Sequence, residues 1–278
     1  MKKTCLIISG PTAVGKTSLA IELAQKHNTE IISADSRQCF KELNIGVAKP
    51  DSCQLKLIKH HFINSHSIHD EMNAAIFEEY ALKAAKEIFQ KKDIAIVVGG
   101  TGLYIKAFAK GLDEVPPINV ALRDELNQKY TSNGIDWLKN EIEIHDKVFF
   151  ERGEIQNPQR MLRALEVKLS TGNSILDYHS GKNIQRDFDI QNIFLNLPRE
   201  QLYKNINHRV DKMMEEGLLE EVRDLIPFKH LNALQTVGYR ELFNFFEGKI
   251  FLEKAVDDIK KNTRHYAKRQ LTWFSRNL

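Results

Sequence analysis

Apolar residues gather into short runs at four places: Thr4 to Ser9, Glu30 to Ser33, Ile94 to Val98 and Ile190 to Leu197. Unbroken runs of that length, flanked by turn formers, predict strands covered on both faces. Between them the apolar spacing lengthens to a helical one. Ser18 to His27 carries Leu19, Ala20, Leu23 and Ala24, and Ala74 to Gln90 reads AAIFEEYALKAAKEIFQ before KKD leads into IAIVVGG. Alternating strands and helices predict an α/β domain with a parallel sheet flanked by helices.

The pattern changes after Gly111. GLDEVPPI supplies two prolines, and the stretch from Val115 to about Asp189 is polar and helix-patterned with few β-branched runs. This predicts a helical insertion over 115–189 that divides the main domain into 1–114 and 190–278. Near its end, TGNSILDYHSGKN is rich in turn formers and reads as a mobile connection. Beyond Arg199, Leu202, Ile206, Val210 and Met213 form one helical stripe, and Gly217 interrupts it before Leu218, Val222 and Leu225.

Composition narrows the class. The 278 residues are 42% hydrophobic and 28% charged, ordinary for a globular chain and against disorder. Net charge is +3, so basicity matters only where it is concentrated. Three cysteines, Cys5, Cys39 and Cys53, lack C-x-x-C spacing, which argues against a disulfide framework or a cysteine zinc cluster and for a reducing compartment. The apolar run after Met1-Lys2-Lys3 is broken by Ser9-Gly10-Pro11, and no window reaches the roughly 20 apolar residues of a membrane span. A cytoplasmic protein without a membrane partner is expected.

Residues 10 to 17 read GPTAVGKT, directly after the first strand run. Gly10, Gly15, Lys16 and Thr17 have P-loop spacing, and Pro11, Thr12, Ala13 and Val14 lie between them. In such a loop successive backbone N–H groups converge on one phosphate, the lysine adds a point charge and the hydroxyl after it can ligate Mg²⁺. The helix that follows points its N-terminus at the same anion. The strand IAIVVGG ends in Gly-Gly where many P-loop hydrolases carry an acid, and no N-K-x-D signature is present, which excludes an ordinary GTPase.

Two further strand ends carry candidate chemistry. Ligands of open parallel sheets sit outside the carboxyl ends of the strands, so Asp35 in ISADSRQCF should share the crevice of the P-loop, as general base or as a turn cap. VGGTGLY, residues 98 to 104, allows close backbone approach and offers the Thr101 hydroxyl. In KKNTRHYAKRQLTWF, residues 260 to 274, helical spacing aligns Lys260, Arg264 and Lys268 beside Lys261, His265 and Arg269, leaving Ile259, Ala267 and Phe274 for the core. That basic face suits a phosphate backbone or solvent. His60, His61, His66 and His69 in KHHFINSHSIHD lack metal-site spacing and read as ordinary polar structure.

Taken in order, GPTAVGKT, DSRQ, IGVAKP, HHFI, VGGTGLY, NPQRMLRALEV, EEGLLEEV, VGYREL and TRHYAKRQLTWF resemble the motifs of the bacterial tRNA dimethylallyltransferases over nearly the whole chain. The resemblance implies a P-loop NTPase-like fold and transfer of a dimethylallyl group from dimethylallyl diphosphate to N6 of the adenosine 3′ of the anticodon, position 37 of the tRNA, in tRNAs reading UNN codons. It implies that Gly10 to Thr17 and Arg209 hold the donor diphosphate, with Mg²⁺ at Thr17. Asp35 becomes the base at N6 and Thr101 the group near the bridging oxygen. Contacts to the tRNA anticodon stem-loop fall to Asp35, Ser36, Arg37, Gln38, Thr101, Arg123, Gln159, Arg160, Met161, Leu162 and Arg163. No obligate protein partner is implied. The chain departs from the family pattern at Arg37 and Phe40 in DSRQCF, at Val47 in IGVAKP and at Asn64 in HHFIN. Two other functions remain open on the P-loop alone: an ATP-dependent small-molecule kinase, and an RNA-binding protein without catalysis.

Overall fold

The computed structural model describes residues 2–179, 181 and 183–277. In chain order its elements are β1 (Thr4–Ser9), α1 (Lys16–Lys26), β2 (Ile31–Ser33), α2 (Ser52–Leu57), β3 (His60–His61), α3 (Ala74–Phe89), β4 (Ile94–Gly99), α4 (Gly102–Lys110), α5 (Val120–His145), α6 (Lys147–Arg152), α7 (Pro158–Thr171), β5 (Asp189–Phe194), α8 (Arg199–Glu215), α9 (Leu218–Asp224), α10 (Tyr239–Phe246) and α11 (Leu252–Asn277). Short 3₁₀ turns join several of them.

The strands form one parallel sheet in the order β3-β2-β4-β1-β5. β1 lies between β4 and β5, with Thr4 opposite both Ile94 and Asp189. Strand alternation explains why the runs are continuously apolar. Cys5, Ile7, Ala95 and Val97 face a core shared with Phe77, Ala81, Tyr104 and Phe108, while Leu6, Ile8, Ile96 and Val98 face a second core with Ala20, Ile21 and Ala24 of α1. Helices cover both faces over β1, β2 and β4, whereas the edge strand β5 has no buried residue and exposes Gln191, Asn192 and Phe194.

β5 ends at Phe194, three residues before the expected Leu197, although Leu195 N–H still donates to Ser9 O at 2.8 Å. Glu30 stays outside β2 and turns its carboxylate to His61. The two-residue β3 has no apolar run to announce it; its pairing with Ile31 and Ile32 brings it to the sheet edge.

Residues Leu112–Asn183 form a compact helical unit of their own, and Met1–Gly111 with Ile184–Leu278 form the larger one. The helical unit is built around Leu126, Leu138, Ile142, Phe149, Met161, Leu162 and Leu165. Side chains of Asn119, Asp146 and Asn157 cap α5, α6 and α7, and α5 is broken by non-helical backbone at Gly134. The polar stretch expected to end at Asp189 overruns this unit. Arg186 donates to Ala107 O at 2.7 Å and Phe108 O at 2.8 Å and pairs with Glu78, and Phe188 stacks on Phe108, so these residues belong to the larger unit. Within the turn-rich connection, Ser174 and Asp177 cap a 3₁₀ turn at Ile175–Tyr178; Ser180 and Lys182 lie outside the described residues. No helix among the described residues is long and apolar enough to cross a membrane.

Candidate active site

The P-loop leaves β1 and enters α1 through Gly15, whose left-handed φ of 96° a side chain would resist. Ala13 adopts φ 64° and sits in a small apolar cluster with Leu202, Ile206 and Ala267, so it supplies backbone rather than side chain to the loop. Three contacts from the second half of the chain hold the loop, two at its backbone and one at the Thr12 side chain. Asn205 Nδ2 donates to Ala13 O at 3.2 Å, Arg209 Nη1 donates to the Thr12 hydroxyl at 3.1 Å, and Thr12 N–H donates to Gln270 Oε1 at 2.9 Å.

Lys16 Nζ donates to Gly10 O at 3.0 Å and Pro11 O at 2.7 Å, curled over its own loop. Burial, reinforced by the charge of Arg209 and opposed by that of Asp35, lowers its pKa to about 8. Burial likewise lowers Arg209, again with Asp35 opposing. Two desolvated cations beside a single carboxylate make a site short of negative charge, which a diphosphate would supply.

Asp35 follows β2. Its Oδ1 accepts the N–H groups of Arg37 at 2.9 Å and Gln38 at 3.3 Å, an Asx-type turn that fixes the carboxylate. The cap and the functional reading of Asp35 therefore coexist: the turn uses Oδ1. Ser36 N–H donates to Thr101 Oγ1 at 3.1 Å, joining the end of β2 to the start of α4, and Thr101 is within hydrogen-bonding reach of Tyr266. Burial, then the nearby Asp35 charge, pushes the Tyr266 hydroxyl up to about 12, so it remains protonated.

Of the cavities that open on these groups, two contain Asp35. One of about 160 Å³ is lined by Lys16, Thr17, Ser33, Asp35 and Arg209. The other, about 310 Å³, is lined by Asp35, Arg37, Arg209, Tyr266 and Arg269, with Val47, Val210 and Met213 as apolar wall. Asp35 and Arg209 line both. The oxygen donors of the smaller cavity, Thr17, Ser33 and Asp35, fit a hard cation that keeps most of its water and takes few protein ligands, as Mg²⁺ does.

Gln38 is held from two sides. The Ser33 hydroxyl donates to its Oε1 at 3.1 Å, and its Nε2 donates to Val47 O at 3.2 Å and Ala48 O at 3.0 Å. At the sites of departure from the family pattern, Phe40 is a buried core residue, Val47 contributes its carbonyl, and Asn64 Oδ1 accepts a bond from Lys49 Nζ. Arg37 has its pKa lowered by burial and lines the larger cavity. The histidines turn to separate partners: His60 to Ile58 O, His61 to Glu30 and His66 to Ser65. Among the described residues no group of three His, Cys, Asp or Glu side chains is placed to hold a metal ion.

In the helical unit the remaining candidates lie on or beside α7. Buried Glu166 pairs with Arg163 at 3.2 Å and Arg123 at 3.4 Å, and Arg160 pairs with Glu154 at 2.7 Å, while Gln159 is exposed. Met161 and Leu162 correct the expectation for their side chains. Both are core residues of this unit, 0% and 3% exposed, so a side-chain contact to nucleic acid from this turn is left to Gln159, Arg160 and Arg163. The C-terminal basic face also divides in two. Lys260 pairs with Asp211 and Arg264 Nη1 donates to Asn207 at 2.7 Å, binding α11 to α8, whereas Lys261, His265 and Arg269 are exposed.

Tyr266 and Gln270 belong to the site although the sequence reading passed over them. They stand one turn apart on α11, and Gln270 is 6% exposed in a helix full of charge. A polar residue recurring on the same stripe as Ala267 and Phe274 was the available signal.

A parallel sheet with a P-loop on an inner strand, and a carboxylate, a hydroxyl and an arginine gathered at neighbouring strand ends, defines an α/β protein of the P-loop class arranged to hold an anionic group against an acceptor. Within that class the chain belongs to the IPP transferase family, whose model matches residues 38–277. It is 48% identical to the tRNA dimethylallyltransferase of Christiangramia forsetii, over 100% of this chain and 92% of that protein, and 46% identical to the tRNA dimethylallyltransferase of Flavobacterium psychrophilum, over 98% and 90%. Among solved structures it is similar to the full-length tRNA isopentenylpyrophosphate transferase of Bacillus halodurans, with TM-score 0.71 and 34% identity over 99% of this chain and 87% of that one. A eukaryotic dimethylallyltransferase acting on tRNA gives TM-score 0.80 at 28% identity, over 98% and 69%.

Proposed function

We infer that this chain is a tRNA dimethylallyltransferase: it moves the dimethylallyl group of dimethylallyl diphosphate to N6 of the adenosine 3′ of the anticodon in tRNAs reading UNN codons, and releases diphosphate. The observation that carries the reading is the sharing of Asp35 and Arg209 by two adjoining cavities, one of them lined by the P-loop. A donor diphosphate in the smaller and a nucleoside in the larger would meet at those two residues.

The backbone N–H groups of residues 13 to 17 and the charges of Lys16 and Arg209 receive the diphosphate. As the allylic C–O bond breaks, negative charge grows on the departing oxygen, and these fixed donors stabilise it. Thr17 would hold a Mg²⁺ ion, which would supply further neutralisation of the growing charge. Thr101, fixed by Ser36 and Tyr266, orients the region of the bridging oxygen. The C–N bond forms at N6 of adenosine, whose amine becomes acidic as it gains the carbon, and Asp35 accepts that proton.

An adenine inside a stacked anticodon loop cannot reach such a cavity, so the base is flipped out of the stack. Arg37 and Arg269 around the larger cavity, Gln38 beside Asp35, and Arg123, Gln159, Arg160 and Arg163 on the helical unit, suit the edges and phosphates of a splayed RNA loop. Such a reaction belongs in the cytoplasm, with its tRNA.

Incubation with a UNN-decoding tRNA, Mg²⁺ and dimethylallyl diphosphate, followed by nucleoside mass spectrometry, tests the reading. A C₅H₈ increment on the adenosine 3′ of the anticodon is expected. ATP turnover without that adduct would overturn it in favour of a kinase, and tRNA binding without product would make the chain a binding protein.

A further inference from the structure

Glu221 in α9 lines none of the cavities described above, yet its carboxylate accepts four hydrogen bonds. Oε2 takes the N–H groups of Asn44 at 3.1 Å and Ile45 at 2.8 Å; Oε1 takes the Gly46 N–H at 3.1 Å and the Tyr239 hydroxyl at 2.6 Å. Three consecutive backbone amides folded around one anion form a nest, and a carboxylate built into it makes a charge-assisted clamp on the loop.

Tyr239 closes the clamp from the other side. It is fully buried, and a Cβ on Gly46 would lie 2.6–2.7 Å from its ring and hydroxyl, so only glycine allows this loop to pack against it. Lys49 fastens the far end of the same loop to Phe40 O and Asn64.

What the loop then presents is its Val47 and Ala48 carbonyls, the acceptors that hold Gln38 Nε2. Gln38 N–H in turn donates to Asp35 Oδ1 at 3.3 Å. A continuous series of hydrogen bonds thus runs from Glu221, through residues 44–48 and Gln38, to the carboxylate at the reacting centre. The P-loop takes no part in it; its supports are Asn205, Arg209 and Gln270.

We propose that Glu221 is a positioning residue for the acceptor half of the reaction: by clamping residues 44–46 it sets Gly46, Val47 and Ala48 in the wall of the larger cavity and, through Gln38, steadies the turn that holds the Asp35 carboxylate. This rests on the transferase reading above. A displacement of about 1 Å at such a support can cost on the order of 10²-fold in rate.

The test uses the full chain with Glu221→Gln, Gln38→Ala and the double variant. Glu221→Gln puts an amide NH₂ against N–H donors and should lower kcat/KM for tRNA by about tenfold or more, with KM for dimethylallyl diphosphate changed less than about twofold. The double variant should be no worse than the more damaged single variant, because both changes break one connection. Multiplicative losses, or a donor KM that rises in step with that of tRNA, would overturn the proposal. Amide hydrogen exchange supplies a readout without turnover: residues 44–46 should exchange faster in Glu221→Gln while β1 keeps its protection. Unchanged exchange at 44–46 would also overturn it. Should Glu221→Gln fail to fold, Tyr239→Phe removes one bond to the same carboxylate and should show the same pattern more weakly. A wild-type chain that makes no prenylated nucleoside would overturn the transferase reading and this role together, an outcome distinct from an active wild type with multiplicative variants.

Discussion

Gln270 and Thr12, 258 positions apart in the chain, are joined by a 2.9 Å hydrogen bond from the Thr12 N–H to Gln270 Oε1. The other end of the same amide donates to Gly100 O at 2.9 Å, so one buried side chain couples the P-loop to the end of β4. Gln270→Leu strands a backbone donor and a backbone acceptor at once, at about 1–3 kcal/mol each. The expected outcome is a lower thermal midpoint with KM for dimethylallyl diphosphate raised about tenfold, a change of about 1.4 kcal/mol, and tRNA affinity kept. Calorimetry with donor and tRNA titrations checks it; a donor KM equal to wild type would show that the P-loop does not depend on this bond.

The lowered pKa of Lys16 predicts a pH profile. Above about pH 8 the free protein loses the charge that meets the diphosphate, so kcat/KM for the donor should fall as pH rises past about 8. With donor saturating, kcat should hold to higher pH, since bound diphosphate favours the protonated amine. Lys16→Arg should remove the fall. The same shift fixes the sign for stability: the folded pKa lies below the 10.5 of an unperturbed lysine, the unfolded state binds more protons between the two values, and the ligand-free protein should gain stability as pH rises from about 8 towards 10.5. Thermal melts across that window check the second part.

Asp35→Asn separates binding from chemistry. The amide keeps an oxygen to accept the Arg37 and Gln38 N–H groups, so the turn should survive, while proton acceptance from N6 is lost. Turnover should drop by about 10²-fold or more with the dissociation constant for tRNA nearly unchanged. Single-turnover rates beside filter binding would reveal the opposite case, in which affinity falls and chemistry does not.

Arg160 is 63% exposed despite its contact with Glu154. As a phosphate contact it should matter through counterion release, so Arg160→Ala should weaken tRNA binding about equally across sequences and reduce the slope of log affinity against log salt by roughly 1. The maximal rate should stay at the wild-type value. A salt titration at several tRNA sequences decides this.

Much of this site was legible because its chemistry lies in short local motifs. GPTAVGKT, Asp35 and Thr101 sit directly after apolar runs, and strand periodicity placed them at one end of one sheet. Asp35 was readable as base or turn cap, and the structure shows why spacing could not choose: the turn employs only Oδ1. What the sequence concealed was non-local. Gln270 and Glu221 act through backbone atoms at distant positions, and a backbone N–H leaves no trace in residue type. The burial of Met161 and Leu162 was hidden differently. The resemblance carried a whole helical turn over to RNA contact, whereas α7 is amphipathic and turns those two inward. The edge pairing of His60 and His61 was illegible because β3 is too short to show a period.

The junctions of the helical unit have a consequence for how such a chain could have been assembled. Ile184 N–H donates to Lys110 O at 2.8 Å, so the polypeptide leaves the sheet-bearing unit and returns to it at neighbouring residues. An exit and re-entry that close together ask nothing of the surrounding sheet, and β5 can find its place beside β1 whatever the length of the excursion. An ancestral phosphate-binding domain could therefore have acquired its helical module at this neck in one step, and a chain in which a short linker from Lys110 to Ile184 replaces the module should still assemble the sheet.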